Sequence, residues 1–321
     1  IHYEMGNAEE ALECAERALE IDPGNANSWV LRGNALSGLG YEDSAKESFT
    51  KALQIDPDHE IGKRNLSRSV SYNIPAWHFT MLADRARNQA YRKAIEAVIQ
   101  PGDLVLDIGT GSGLLAMMAV RAGAKKVIAC EMVDDLAEMA KVVTAQNGYA
   151  DQIDVVKRNS TNLKVGKELP EKADVLVSEI LDAAVIGEGV LPSHRHAVKE
   201  LLKPGGRVIP ARAEVFIQLV AIPDLRYAWP VREIEGFDLS GMQKFQRLDK
   251  PLILTMNEEN CHPISEEYPL WTLNMAEIPR AVSEEKPEVE TIEIKATQTG
   301  KVHAVSLWFD LWVDEQTMVS T

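Results

Sequence analysis

Leu104-Val105-Leu106-Asp107-Ile108 is a short apolar run that passes directly into Gly109-Thr110-Gly111-Ser112-Gly113 and then into an unbroken run of helix formers from Leu114 to Ala122. Strand, glycine turn and helix in that order open the first unit of a parallel α/β sheet. Glycines are required where a turn is tight and where a ligand must approach the backbone closely, and the first amides of the following helix are unsatisfied donors. The next apolar strand, Lys126 to Cys130, ends in Glu131, 20 residues after Gly111. A carboxylate there can accept hydrogen bonds from both hydroxyls of a ribose. An adenosine-bearing ligand is therefore implied.

Two features favour S-adenosylmethionine over a dinucleotide. The glycines are spaced Gly-x-Gly-x-Gly, closer than the Gly-x-Gly-x-x-Gly with which dinucleotide folds admit a pyrophosphate. The strand before them also carries Asp107, an anion better suited to a cationic sulfonium and amino group than to a diphosphate. Alternation continues with strands Ile153–Val156 and Ala173–Val177, a helix from about His194 to Leu202, the turn Pro204-Gly205-Gly206 and strand Arg207–Ile209. The expected fold is a doubly wound, Rossmann-like α/β domain.

The fourth strand runs into Ser178-Glu179 and, nine residues later, Glu188. Carboxyl ends of strands in open α/β sheets face the ligand crevice, so Glu179 falls where a transferred methyl group belongs, and Glu188 can turn back into the same pocket. A lone glutamate there reads most simply as a cap or a solvated charge. A pair suits a guanidinium acceptor, which stays protonated at working pH and must sit beside a second cation, the sulfonium. At roughly 4 Å and an effective dielectric near 20 that repulsion is about 4 kcal/mol, so carboxylates must offset it.

Upstream, Ala18-Leu19-Glu20-Ile21-Asp22-Pro23 returns as Ala52-Leu53-Gln54-Ile55-Asp56-Pro57, and Gly6 as Gly40, 34 residues later in both cases. That is the period of tetratricopeptide repeats (TPR), and Trp29, Gly33, Ala45, Phe49, Ala52 and Pro57 occupy the packing positions of such a repeat. Counting back one period places Ile1 inside a helix, so residues are expected upstream. Glu60 to Ala76 reads as a capping helix and linker, with Pro75 biasing Ile74 away from helix. From Trp77 to Ile99 apolar residues recur at three- and four-residue steps, which predicts one amphipathic helix.

Together these residues resemble the protein arginine N-methyltransferases, in particular the branch with N-terminal tetratricopeptide repeats. The resemblance covers nearly everything from His78 to Thr321. It implies that Met81-Leu82-Ala83-Asp84, Arg87 and Tyr91 form a cofactor lid in which Arg87 holds the donor's carboxylate and His78 contacts the cofactor. Val105 to Gly113 matches the family's first motif, with Asp107, Gly109, Gly111 and Gly113 lining the cofactor and Glu131 holding its ribose. Glu179 and Glu188 fall on the catalytic double-glutamate loop, Ser160 and Thr161 lie near the adenine, and Gly236 to Ser240 matches the segment after the nucleotide-binding domain. The resemblance also implies a β-barrel as the far wall of the arginine cleft, with Val215–Leu219 and Val302–Val313 as its clearest strands. The family's Thr-His-Trp-type loop does not appear before Thr321, so the barrel is expected to be truncated. The span Tyr227 to Met256 is where a dimerisation arm would fall.

The expected organisation is repeats over 1–60, a capping helix and linker over 61–76, the methyltransferase domain over 77–210 and a partial β-barrel over 211–321. The expected function is methyl transfer from S-adenosylmethionine to a guanidino nitrogen of protein arginine, with the repeats recruiting substrates or partners and a homodimer or pseudo-dimer as the assembly. The alternative is a repeat scaffold whose methyltransferase domain binds cofactor without turnover. A net charge of −15 argues against a surface that grips nucleic acid and favours cationic partners. No apolar run approaches a membrane span. Cys14, Cys130 and Cys261 are too scattered for a disulfide framework or a metal site, which suits a cytoplasmic protein.

Overall fold

The computed structural model describes residues 8–74, 76–223, 233–245, 261–277 and 291–320. The chain divides into two compact units, residues 1–84 and 85–321.

The first unit is helical: α1 (Ala8–Ile21), α2 (Ala26–Gly38), α3 (Glu42–Ile55), α4 (Glu60–Asn73) and α5 (Ala76–Ala83), with α1 to α4 each packed on the next. The 34-residue period reproduces the same turn twice. Asp22 Oδ1 accepts from the Gly24 amide at 3.0 Å, and Asp56 Oδ1 from the Asp58 amide at 3.1 Å. Gly33 lies so close to the Phe49 ring that a Cβ there would meet Cδ1 at 2.6 Å, so the small residue is what lets α2 and α3 approach. Phe49, Ala45 and Ala52 are buried beneath that contact. Phe49→Ala is expected to destabilise this unit by about 3–5 kcal/mol, seen as an earlier loss of helical circular dichroism on heating.

α4 ends at Asn73, and Ile74 is extended at φ −114, ψ 101, as the following proline requires. The single helix expected from Trp77 to Ile99 is instead two, α5 and α6 (Arg85–Val98), broken at Asp84. Aspartate immediately before a helix is a favoured N-cap residue, and the apolar periodicity on either side carries no trace of the break.

The second unit begins with α6 and holds two sheets. The first is parallel, in the order β3-β2-β1-β4-β5. Its strands are β1 (Leu104–Ile108), β2 (Lys126–Glu131), β3 (Ile153–Lys157), β4 (Ala173–Ser178) and β5 (Leu202–Ile209). Every residue of β1 is buried, as expected for a central parallel strand covered on both faces. Helices α7 (Leu114–Arg121), α8 (Asp134–Gln146) and α9 (Val190–His196) connect the strands, and α9 continues as a π-helical turn over Ala197–Leu201. The expected turn at Pro204-Gly205-Gly206 lies within β5. There the register against β4 shifts between Ala173 and Val175, and Gly205 takes φ +73 to absorb the surplus.

The second sheet is antiparallel, in the order β10-β6-β11-β12 with β9 also on β6. It comprises β6 (Arg212–Ala221), β9 (His262–Pro263), β10 (Tyr268–Asn274), β11 (Ala304–Trp312) and β12 (Met318–Ser320), while β7 (Glu233–Ile234) and β8 (Phe237–Asp238) form a separate hairpin. Among the described residues this sheet is open rather than a closed barrel. Its inner face, with Val215, Leu273, Phe309 and Leu311, shares one core with Val105, Val127 and Val177 of the parallel sheet. The two sheets are thus packed as one body, which sets the strand ends of one beside the other. Most of the span Tyr227 to Met256 lies outside the described residues.

Candidate active site

The expected residues of the second unit lie at or beyond the carboxyl ends of β1, β2, β3 and β4, apart from Arg87 on α6. Gly109, Gly111 and Gly113 all have positive φ, at 73°, 53° and 82°, a region that other residues enter only with strain. A Cβ on Gly109 would run into the Ile180 side chain, and one on Gly113 would meet Thr144 Cγ2 at 2.8 Å. The loop is therefore held tight against its own surroundings.

Glu131 is almost fully buried, with Oε2 accepting from the Gly111 amide at 3.0 Å and Oε1 from the Val133 amide at 2.9 Å. Those bonds fix the carboxylate while each oxygen keeps a lone pair for a hydroxyl. Asp107 is wholly buried. Its Oδ2 accepts from the Thr110 hydroxyl at 2.6 Å, and Oδ1 has no hydrogen-bond partner among the described residues. Burial raises the carboxyl from 3.8 to about 7, partly offset by the Thr110 hydroxyl and reinforced by the Glu131 charge. An orphaned buried carboxylate oxygen beside a glycine cradle fits a cationic ligand, and with Glu131 it fits S-adenosylmethionine.

Glu179 follows β4 directly. Its Oε2 takes an ion pair from Arg87 Nη2 at 2.7 Å, both side chains being less than 15% exposed, and the same guanidinium lies 5.2 Å from the centre of the Tyr91 ring. Arg87, expected to hold the cofactor's carboxylate, instead grips the first of the two glutamates expected to be catalytic. With five donors on one plane, guanidinium can serve more than one anion. Glu188 is exposed on the loop beyond, and its carboxyl is pushed above the ordinary value by partial burial and then by the charges of Glu179 and Asp182. The Glu179 charge is thus among the causes that raise the Glu188 carboxyl. Asp182 shapes the loop between them: its Oδ1 accepts from the amides of Ala184 at 3.2 Å and Gly187 at 2.9 Å. Val185, buried at φ 73, stores backbone strain there that only the surrounding packing can hold.

The remaining expectations are less directly placed. Ser160 is buried with its hydroxyl on Ser193 Oγ at 3.0 Å, and the exposed Thr161 turns its hydroxyl and amide to Asn159 Oδ1 at 2.8 and 3.0 Å. That segment therefore offers an adenine backbone and shape more than free hydroxyls. His78 lies on α5 of the first unit, whereas every group described above belongs to the second. Asp182, Ser178 and His194 were not singled out in the sequence. Asp182 was the one open to discovery, since aspartate followed at two and five residues by turn amides is a common local motif.

Comparison with known proteins gives the family and the fold. A model for ribosomal protein L11 methyltransferase matches residues 91–211, and two tetratricopeptide-repeat models match residues 26–59 and 1–25. An arginine N(omega)-methyltransferase of Streptomyces achromogenes subsp. streptozoticus is 37% identical over 313 residues, covering 97% of this chain and 85% of that protein. Protein arginine N-methyltransferase 9 of Mus musculus is 31% identical over 353 residues, 99% of this chain but 41% of its own length. The Trypanosoma brucei PRMT1 enzyme-prozyme heterotetrameric complex with AdoHcy superposes with a TM-score of 0.65 at 24% identity over 78% of each chain. A crystal structure of PRMT6 gives 0.55 at 26% identity over 76% of this chain and 81% of that one.

Proposed function

Since this chain belongs to the protein arginine N-methyltransferase family, we propose that Glu179 and Glu188 clamp the guanidinium of an arginine for methylation. The observation that carries the reading is the placement of the two carboxylates, Glu179 directly after β4 and ion-paired with Arg87, and Glu188 on the loop beyond, where the Glu179 charge helps to raise its carboxyl. When bound, S-adenosylmethionine supplies the electrophilic methyl group. The planar guanidinium donates directed hydrogen bonds to both carboxylates, leaving one nitrogen aimed at the methyl carbon. No strong base is needed, because the proton becomes acidic as the nitrogen–carbon bond forms. Glu188, whose carboxyl already lies above its usual range, is suited to take it. Calorimetric titration with S-adenosylmethionine followed by radiolabelled transfer to an arginine-rich peptide tests the reading; a protein that binds the cofactor but labels no arginine would refute it.

Arginine within a protein is the proposed acceptor, recruited through the helical unit. There Glu16, Glu20 and Glu47 line a groove of about 590 Å³ together with Trp29, Arg32 and Lys51, and the one carboxylate in excess of the cations favours a cationic segment. A smaller acceptor is the second reading, because the streptomycete relative is named for arginine without the word protein. Free L-arginine assayed beside the peptide separates the two. The chain spans about two fifths of the length of the mouse relative, so assembly as a homodimer or pseudo-dimer is likewise a proposal, as is residence in the cytoplasm. The described residues contain no helix long and apolar enough to cross a membrane.

Asp182 offers a test of the loop alone. Asp182→Ala removes a charged acceptor from two amides, contacts worth about 1.5–3 kcal/mol each. The acceptor KM is expected to rise by about tenfold or more while cofactor affinity holds, since only the segment carrying Glu188 is loosened. Steady-state kinetics with calorimetry check both halves.

A further inference from the structure

His194 is fully buried on α9 and makes two hydrogen bonds. Its Nδ1 lies 3.1 Å from the carbonyl oxygen of Met275, just past the end of β10. A carbonyl has no proton to offer, so Nδ1 carries the hydrogen and Nε2 is bare. Nε2 therefore accepts from the Ser178 hydroxyl, 2.7 Å away. Ser178 is the last residue of β4, directly before Glu179. Its own carbonyl accepts from the hydroxyl of the fully buried Tyr91 at 3.1 Å. Met275 is also held from its other side, its amide donating to the Ala211 carbonyl at 2.9 Å.

We propose that His194 is a positioning residue for Glu179, acting through Ser178 and tying the antiparallel sheet to the acceptor-binding glutamate. The proposal rests on the reading of Glu179 as a guanidinium ligand. The peptide that leads into Glu179 is gripped from α9 through the serine side chain and from α6 through the serine carbonyl, so its carboxylate leaves the strand at a set angle. A histidine that merely filled the core would be replaceable by an aliphatic side chain, but that would strand the Met275 carbonyl and the Ser178 hydroxyl without partners in a dry interior. Burial pushes the imidazole down to about 4, so it stays neutral, with the same tautomer, across the working range of pH. It acts by geometry and not by proton transfer.

The test compares His194→Leu, His194→Gln and Ser178→Ala in the whole chain. A glutamine amide can donate to Met275 with its nitrogen and accept from Ser178 with its oxygen, so it is the rescuing variant. His194→Leu and Ser178→Ala are each expected to lower kcat by about 10- to 100-fold, the scale of a small misplacement of a reacting group. Cofactor affinity should stay put, the double variant should fall no further than the worse single one, and His194→Gln should recover most of the rate. Hydrogen exchange over residues 178–182 asks the same question without turnover: it should quicken in the leucine and alanine variants and not in the glutamine variant. If His194→Leu does not fold, Ser178→Ala carries the test in both readouts. Unchanged kcat and exchange in Ser178→Ala, or a glutamine variant as impaired as the leucine one, overturns the proposal. Wild-type protein that methylates no arginine overturns instead the reading beneath it, and exchange still decides whether His194 holds the Glu179 peptide.

Discussion

Glu179→Gln and Glu188→Gln are each expected to lower methyl transfer to arginine by about a thousandfold, the rate equivalent of roughly 4 kcal/mol. Each change keeps size and hydrogen-bonding capacity but removes one of the two negative charges that let a guanidinium lie beside a sulfonium. Cofactor binding should survive in both variants. Glu188 lies on the loop beyond the cofactor residues, so its loss leaves cofactor affinity nearly unchanged. Glu179 holds Arg87 at 2.7 Å, so its neutralisation releases the guanidinium expected to meet the cofactor's carboxylate, and binding should hold or tighten. Single-turnover transfer alongside calorimetric titration reads both. A Glu188→Gln enzyme with ordinary turnover would mean that the natural acceptor is neutral.

Asp107→Asn should change stability and cofactor binding in opposite directions. In the folded chain the Asp107 carboxyl holds its proton up to about pH 7, whereas its ordinary value is 3.8. Between those values the native state binds more proton than the unfolded state. The group's contribution is thus fully present below about pH 4 and is lost as pH rises through 7, by about 4 kcal/mol in all. Asparagine has no such titration, so at pH 8 the ligand-free variant should melt well above wild type, and near pH 4 the two should converge. A cationic ligand beside the orphaned Oδ1 favours the ionised form, so S-adenosylmethionine should bind wild type more tightly as pH rises toward 8, with proton release below 7. The variant should bind it weakly at every pH. Parallel pH slopes of melting temperature in the two proteins would refute this assignment to Asp107.

All three variants probe residues that are legible in the sequence alone. The glycine spacing, Asp107, Glu131 and the two glutamates sit at fixed short distances from strand ends, and strand ends are visible in apolar patterning. The repeat was equally visible, since its period reproduces even the Asp22 and Asp56 turns. Less local features were not. The break at Asp84 interrupts a pattern that stays helical on both sides. Pro204-Gly205-Gly206 reads as a turn and is an unpaired excursion inside β5: Leu202 pairs with Ala173 and Arg207 with Val175, so the strand resumes on β4 after the surplus residues. Thr161 sits in the expected segment, yet its hydroxyl is taken by Asn159.

By itself the sequence determined the kinds of element, their order, the cofactor loop and the acidic residues at its rim, because each depends on interactions among residues a few positions apart. Tertiary structure alone decided which side chains meet. Arg87 grips Glu179, and His194 spans from Met275, 81 residues away, to Ser178. Those contacts exist because the antiparallel sheet and α6 pack on the same core as the parallel sheet, and no periodicity records which distant chain segments a shared core will bring together.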